Sequence, residues 1–435
     1  MNIQEIYHPL YGKGFVKETR NKGFELQVEF EDHSIRWVRI DDITVVQSVK
    51  ESFDHSIESN SLDDLKNWKY RKMIEAFRLG IVPFDCVQDF MIGRDKELRS
   101  ISKWIKSRKQ NVAFVVGEYG SGKTHLLQYL LHFAIEQNFA VSWIDVHKNE
   151  TPLSKPKRIY EQLISSFRYP SKNKRQILGF RNFIKEALEK NLLSDHHYFK
   201  HLIGKTTDYF WEWIEGKSIY RPHWELSYPP LYNYTNTANI YCYLLSGMGW
   251  AAKQLGLSGY LLIFDEAESI NSYDYRYEYY KSLNFLKALT YTANNKLDLL
   301  SQPYHGELDF CRKGGCGNIP FLYKLPSGMK LIFAFPSFEL LPWELRWEVK
   351  HSNKYLFVEL HPLDENALTQ AIERIVSIYQ YAYNYTFGQG KVQTDKIFRK
   401  IAAHKDRLRL FVKGAVEALD IRRFHPEGDI LEILS

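Results

Sequence analysis

At 435 residues the chain is longer than one ordinary hydrophobic core accommodates, so roughly two to four domains are expected. Hydrophobic residues at 44% and charged residues at 25% are globular values and exclude wholesale disorder. Fifty-eight Lys and Arg against 52 acidic residues leave a charge of +6, which permits a nucleic-acid surface without requiring one.

Aromatic residues make up 15% of the chain, with 29 Tyr and 10 Trp, which suits cores and interfaces, with base stacking the lesser reading. The four cysteines, Cys86, Cys242, Cys311 and Cys316, are too few for a disulfide scaffold and imply a reducing compartment. Met1 to Glu5 lacks a basic-then-apolar signal, and no apolar run reaches membrane-spanning length. A soluble, cytoplasmic chain with no membrane partner is expected.

In chain order, residues 1–48 read as a small β-barrel, because Leu26, Val28 and Phe30 alternate with polar residues and Ile35-Arg36-Trp37 resumes the alternation after a polar turn. Gly12 and Gly14 suit a tight bend or bulge before Phe15-Val16. Residues 49–66 are polar and Ser-rich, as in a linker, and from Leu65 to Leu79 the pattern turns helical. Apolar runs at Val112 to Val116, Phe139 to Val146, Tyr260 to Phe264, Leu331 to Phe335 and Tyr355 to Leu360 read as buried strands. Between them lie a long, mostly helical insertion at about 150–235, a helix from Thr237 to Leu255 and a tyrosine-dense helix from about Tyr275 to Asn294. From Asp364, a good N-cap, Leu368, Ile372, Ile375 and Tyr379 keep helical spacing, and the chain stays helical to Asp420. Strand alternating with helix predicts an α/β fold with a mostly parallel sheet over 67–362, and an α-helical lid over 363–435.

Gly117-Glu118-Tyr119-Gly120-Ser121-Gly122-Lys123-Thr124 fills the pattern GxxxxGK[ST], follows the strand at Val112 to Val116 and opens a helix. That order is what a phosphate-binding loop needs. Loop amides and the helix N-terminus face phosphate oxygens, Lys123 reaches the β- and γ-phosphates, and the Thr124 hydroxyl holds Mg²⁺. The expected nucleotide-binding set runs from Gly117 to His125. Leu261-Leu262-Ile263-Phe264-Asp265-Glu266 supplies the second half, with Asp265 set to contact Mg²⁺ through water and Glu266 to polarise an attacking water. Glu268 reads as an ordinary helix residue. The expected ligand is ATP with Mg²⁺, and the expected chemistry is its hydrolysis.

Gly93-Arg94-Asp95-Lys96-Glu97-Leu98, the loop, Asp265-Glu266, a further strand and a helical lid together resemble an AAA+ P-loop ATPase of the initiator-like branch. Ile74 to Pro83, taken with the loop, is similar to the ATP-binding proteins of BREX-type phage-defence systems, and the likeness extends over roughly residues 67–425. Tyr7 to Val16, with Val28-Glu29-Phe30-Glu31-Asp32, resembles the Tudor-like barrel of UvrD/PcrA-type helicases, a module that contacts protein partners.

The resemblance implies that Gly93 and Arg94 border the adenine and that Ser337, where the family usually has Asn or Thr, senses the γ-phosphate. It implies a lid arginine at Arg409, with Arg407 competing, and an arginine finger at Arg346 that reaches a neighbouring subunit of a homo-oligomer. It also implies DNA association, a helicase-like protein partner docking on the barrel, and a role in defence against phage.

Lys155-Pro156-Lys157-Arg158 and Ser171-Lys172-Asn173-Lys174-Arg175 are the candidate phosphate-backbone contacts. Cys311 and Cys316, with His305 upstream, lack the second ligand pair a structural zinc site needs, so a glycine-rich loop with two thiols is the reading. Two rivals to a hydrolase remain: a nucleotide-controlled scaffold with little turnover, and a STAND-like signalling ATPase.

Overall fold

The structure is a computed structural model that describes five short N-terminal strands and residues 58–172, 176–205, 207–217, 228–233, 237–273, 275–301, 304, 308, 319–387 and 408–425. The chain divides into two compact units, Met1–Asp63 and Asp64–Ser435.

In the first unit β1 (Glu5–His8), β2 (Gly12–Arg20), β3 (Glu25–Phe30), β4 (Ile35–Arg39) and β5 (Thr44–Val45) form an antiparallel sheet in the order β4-β3-β2-β1-β5. The chain meanders through four strands, then returns β5 to β1 through Ile6↔Val45 and Tyr7↔Thr44. The irregularity expected at Gly12 and Gly14 lies slightly further on. Both glycines pair within β2, and the register shifts between Val16 and Glu18. Among the described residues no ladder joins the outer strands β4 and β5, so these ladders make a sheet without themselves closing a barrel.

The second unit opens within α1 (Glu58–Arg78), which begins inside the stretch read as linker. Its Ser- and Asp-rich start is a poor helix former, but Met73, Ile74 and Phe77 further along are fully buried and anchor it. Then come α2 (Asp95–Lys106), β6 (Val112–Val116), α3 (Lys123–Glu136), β7 (Phe139–Asp145) and α4 (Pro156–Ser165). The insertion continues with β8 (Arg168–Pro170), β9 (Ile177–Gly179), α5 (Phe180–Glu189) and α6 (Asp208–Ile214). After it come α7 (Ala238–Gln254), β10 (Gly259–Asp265), α8 (Arg276–Ala293), β11 (Met329–Phe335), α9 (Trp343–His351) and β12 (Tyr355–Glu359). The described chain ends with α10 (Glu365–Tyr383) and α11 (Leu408–Phe424).

The seven-stranded sheet runs β12-β6-β11-β10-β7-β8-β9, with its first five strands parallel and β8 and β9 antiparallel. This bears out the mostly parallel α/β sheet. The short β8–β9 hairpin departs from an insertion read as mostly helical. Strands of three residues carry too little periodicity to show in a sequence.

Strand alternation sorts the core into two faces. Phe114, Leu262, Phe264, Phe333 and Phe335 pack with the insertion, α7 and α8. Ala113, Val115, Ile263, Ile332 and Ala334 face the other way, against Trp104 of α2 and Leu126, Leu127 and Leu130 of α3. Lys330 is buried at the end of α2, where its ammonium donates to the carbonyls of Trp104, Ser107 and Gln110 at 3.0, 2.9 and 2.7 Å.

A further core joins Met73, Ile74 and Phe77 of α1 and Cys86 and Phe90 of the following turn to Leu368, Ile372 and Ile375 of α10 and Phe411, Val416 and Leu419 of α11. Helix α1 is thus packed against α10 and α11. Arg78 of α1 makes a fork to Asp420 of α11 at 2.9 and 2.8 Å, and the Tyr379 hydroxyl donates to the same carboxylate at 2.7 Å. Among the described residues no helix is long and apolar enough to cross a membrane.

Candidate nucleotide-binding site

The parallel register brings three strand ends into line. Val116 is level with Phe335 and Glu359, and Asp265 with Asp145. Everything emerging after those positions lies along the carboxyl edge of the sheet, where open α/β folds hold ligands. The loop Gly117–Gly122 leaves β6 there, Asp265 ends β10, and Ser337 follows β11, which lies between them.

The loop turns back into α3 because Gly120 and Gly122 adopt φ of 84° and 92°, conformations that cost a side-chain-bearing residue. No side chain caps α3, so the first-turn amides are left for a ligand. The Ser121 hydroxyl is buried without a partner. The Lys123 ammonium is almost buried and donates to the Gly117 and Glu118 carbonyls at 2.6 and 3.2 Å. Burial lowers its pKa, opposed first by Glu268 and then by Asp265 and Glu266. A buried cation resting on main-chain carbonyls is poised to accept an anion.

Thr124 Oγ1 donates to Asp265 Oδ2 at 2.7 Å, and Asp265 Oδ1 accepts from the Glu266 amide at 2.9 Å. Asp265 is only 3% exposed, and burial raises its pKa. The hydroxyl and carboxylate that would hold Mg²⁺ are therefore already in contact. The orphaned Ser121 hydroxyl, an uncapped helix end and this pair fit a triphosphate with its metal.

Glu266 has φ 52°, and its side chain is 57% exposed, with Oε2 lying 3.9 Å from His147 Nδ1. It can therefore reach solvent water beside the phosphate cradle. Glu268 departs from its reading as an ordinary helix residue. It lies on the 3₁₀ turn Ala267–Ser272, half-buried, and Oε1 accepts from the Tyr119 hydroxyl at 3.2 Å. His125 points inward from α3, and burial holds it neutral with a pKa lowered to about 4.

Arg94 holds the site together from beneath. Its guanidinium donates to the Ser121 carbonyl at 2.7 Å, the His361 carbonyl at 2.8 Å and Glu97 at 3.3 Å. It thereby ties the loop to the chain leaving β12. Gly93 has φ 68°, and a Cβ there would lie 2.6 Å from Ala367 Cβ of α10. The Gly93-Arg94 turn thus packs against α10 and bonds the loop at the same time. Nothing local in sequence marks that role for Arg94, whose His361 partner is 267 residues away.

The start of α11 also reaches the loop, since a Cβ on Gly122 would lie 3.8 Å from Leu408 Cδ2. Arg409 is exposed and donates to the Leu79 carbonyl at 3.3 Å. Ser337 is half-buried beyond β11. Arg346 lies on α9 with its Nε covered and unpartnered, near Tyr279 of α8. The competing Arg407, the pair Cys311 and Cys316 with His305, and Asn173 to Arg175 lie outside the described residues. Among the candidate basic runs, Lys155 and Lys157 are half-buried at the start of α4, and Arg158 is exposed with a 2.9 Å bond to the Asn149 carbonyl. Among the described residues no group of three or more His, Cys, Asp or Glu is placed to hold a metal by itself.

Residues 65–191 match the family model described as BREX system ATP-binding protein BrxC/D, a match that takes in most of α1, the Gly93-Arg94 turn and the phosphate loop. No curated protein matches the chain. Among solved structures, a chain from the structure of Drosophila ORC bound to DNA aligns at 13% identity and a TM-score of 0.33, covering 90% of this chain and 68% of that one. So distant a likeness supports no argument about function.

Proposed function

We propose that this chain is an AAA+ ATPase that binds ATP·Mg²⁺ on the Gly117–Thr124 loop, between the α/β core and the lid formed by α10 and α11. One observation carries the proposal: the adjacent pair Lys123 and Thr124 shares one site with Asp265, 141 residues further on, with Thr124 and Asp265 in 2.7 Å contact. When bound, Mg²⁺ held by Thr124 and Asp265 supplies charge neutralisation on the phosphates. The chain's own residues do the rest. Loop amides and Lys123 bind the phosphates, Gly93 and Arg94 border the base, and Glu266 takes a proton from water at its exposed carboxylate. Ser337 and Arg409 sense the third phosphate, so that hydrolysis changes the angle between lid and core.

The family match over 65–191 supports a role beside the BREX ATP-binding proteins in defence against phage. DNA association through Lys155, Lys157 and Arg158, homo-oligomerisation with Arg346 as a finger, and a helicase-like partner extend that reading. A Tudor-like barrel in the N-terminal unit, acting as the docking module, is the remaining part of that reading.

Steady-state ATP hydrolysis with and without DNA tests the proposal. Glu266→Gln is expected to lose at least about a hundredfold in turnover while still binding ATP. A Glu266→Gln protein as active as wild type overturns the catalytic assignment. Tight ATP binding without measurable turnover in wild type would favour the scaffold reading instead.

A further inference from the structure

We propose that Tyr119 and Glu268 form a latch across the phosphate loop that competes with a terminal phosphate for Lys123, and so weakens the site's preference for triphosphate over diphosphate. The latch rests on the nucleotide-binding reading of this same loop.

Tyr119 is 73% exposed, so its ring adds little to any core. Instead it stands 5.3 Å from Lys123 Nζ and reaches across to Glu268 Oε1 at 3.2 Å. Glu268 is held in place by the neighbouring Ala267 and Ile270, both fully buried. Its second oxygen, Oε2, is buried without a partner. A carboxylate kept half out of water with one oxygen unpaired is costly unless a nearby cation offsets it. Burial raises the Glu268 pKa, and Lys123 is the cation that opposes this in part, with Glu268 in turn the leading charge on Lys123.

A phosphate oxygen approaching Lys123 therefore enters the field of a fixed negative group, and must displace the tyrosine that lies over the ammonium. The tether is a single, exposed hydrogen bond of small net strength, so the latch opens readily once a ligand arrives. The diphosphate is gripped chiefly by loop amides and feels Glu268 less than the third phosphate, whose charge Lys123 shares. Removing the Glu268 charge should favour the triphosphate selectively.

The test measures equilibrium affinity and association rate of the full chain for a fluorescent, non-hydrolysable triphosphate analogue and for the matching diphosphate, with Mg²⁺ present. Glu268→Gln is expected to bind the triphosphate about tenfold tighter and the diphosphate less than about threefold tighter. Tyr119→Phe, a change at an exposed ring, is expected to speed triphosphate association about threefold with an unchanged melting temperature. A triphosphate-to-diphosphate affinity ratio in Glu268→Gln equal to or below that of wild type overturns the latch. If Glu268→Gln does not fold, an unchanged association rate in Tyr119→Phe overturns it alone. A wild-type chain that binds neither nucleotide overturns the latch together with the nucleotide reading, whereas wild-type binding with unmoved variants overturns only the latch.

Discussion

Thr124 and Asp265, 141 residues apart, meet through a 2.7 Å hydrogen bond at the carboxyl edge of the sheet. The bond joins the first turn of α3 to the end of β10, and it sets a buried carboxylate against the hydroxyl of an exposed threonine. Asp265 is thus retained at a cost to stability, since burial disfavours its charge.

Asp265→Asn is accordingly expected to separate stability from function. The amide keeps the acceptor for the Glu266 N–H but carries no charge, so the melting temperature should stay level or rise by a few degrees. Mg²⁺-dependent turnover should fall by about a hundredfold or more. Calorimetry beside an ATPase assay checks this, and a large fall in melting temperature would contradict it.

Acid sensitivity is expected from two buried histidines. His196 accepts from the Tyr198 and Phe199 amides at 3.2 Å, and burial lowers its pKa to about 3, while that of His125 falls to about 4. Both folded values lie below the ordinary value of 6.5, so below pH 6.5 the unfolded chain binds more protons and stability falls as pH falls. Each contributes a slope of about 1.4 kcal/mol per pH unit until its folded pKa is reached. Urea unfolding at pH 7 and pH 5 should show the loss, and His196→Asn, which keeps a capping acceptor, should reduce the slope by about half.

Gly93→Ala is expected to strain the junction of core and lid. The new methyl would sit 2.6 Å from Ala367 Cβ at a φ of 68°. A loss of more than about 1 kcal/mol in stability and a severalfold weaker ATP affinity are expected. Wild-type affinity in a folded Gly93→Ala protein would show that the turn does not shape the site.

Asp420→Asn removes the charge and replaces one acceptor of the fork from Arg78 with a donor, leaving the half-buried guanidinium only Glu75 as a carboxylate partner. About 2–3 kcal/mol should be lost. Hydrogen exchange should place the loss in α1, α10 and α11, and leave the amides of β6, β10 and β11 protected.

The site's skeleton is legible in the sequence because it is local. Gly117 to Thr124 is contiguous, follows a five-residue apolar strand and opens a helix, so pattern and context agree. Asp265 is legible for the same reason, at the end of an apolar run. Glu268 is not, because a 3₁₀ turn of six residues has no periodicity that says which side chain turns inward. The helix from Leu65 to Leu79 is legible as α1, but the contacts of α1 and of Arg94 escape a sequence reading for a different reason. Their partners, His361 and Asp420, lie 267 and 342 residues away, and only the folded chain brings them together. The N-terminal alternation predicts strands correctly, yet the bulge falls after Val16 and not at the glycines, since a register shift depends on the partner strand.

The most direct measurement is an equilibrium titration of ATP, with Mg²⁺, into the wild-type chain and into Lys123→Ala. Wild type should bind, and Lys123→Ala should bind roughly a hundredfold more weakly while melting at nearly the same temperature, since the lost group serves the ligand. Equal affinity in a folded Lys123→Ala protein would mean that the Gly117–Thr124 loop is not where the nucleotide sits.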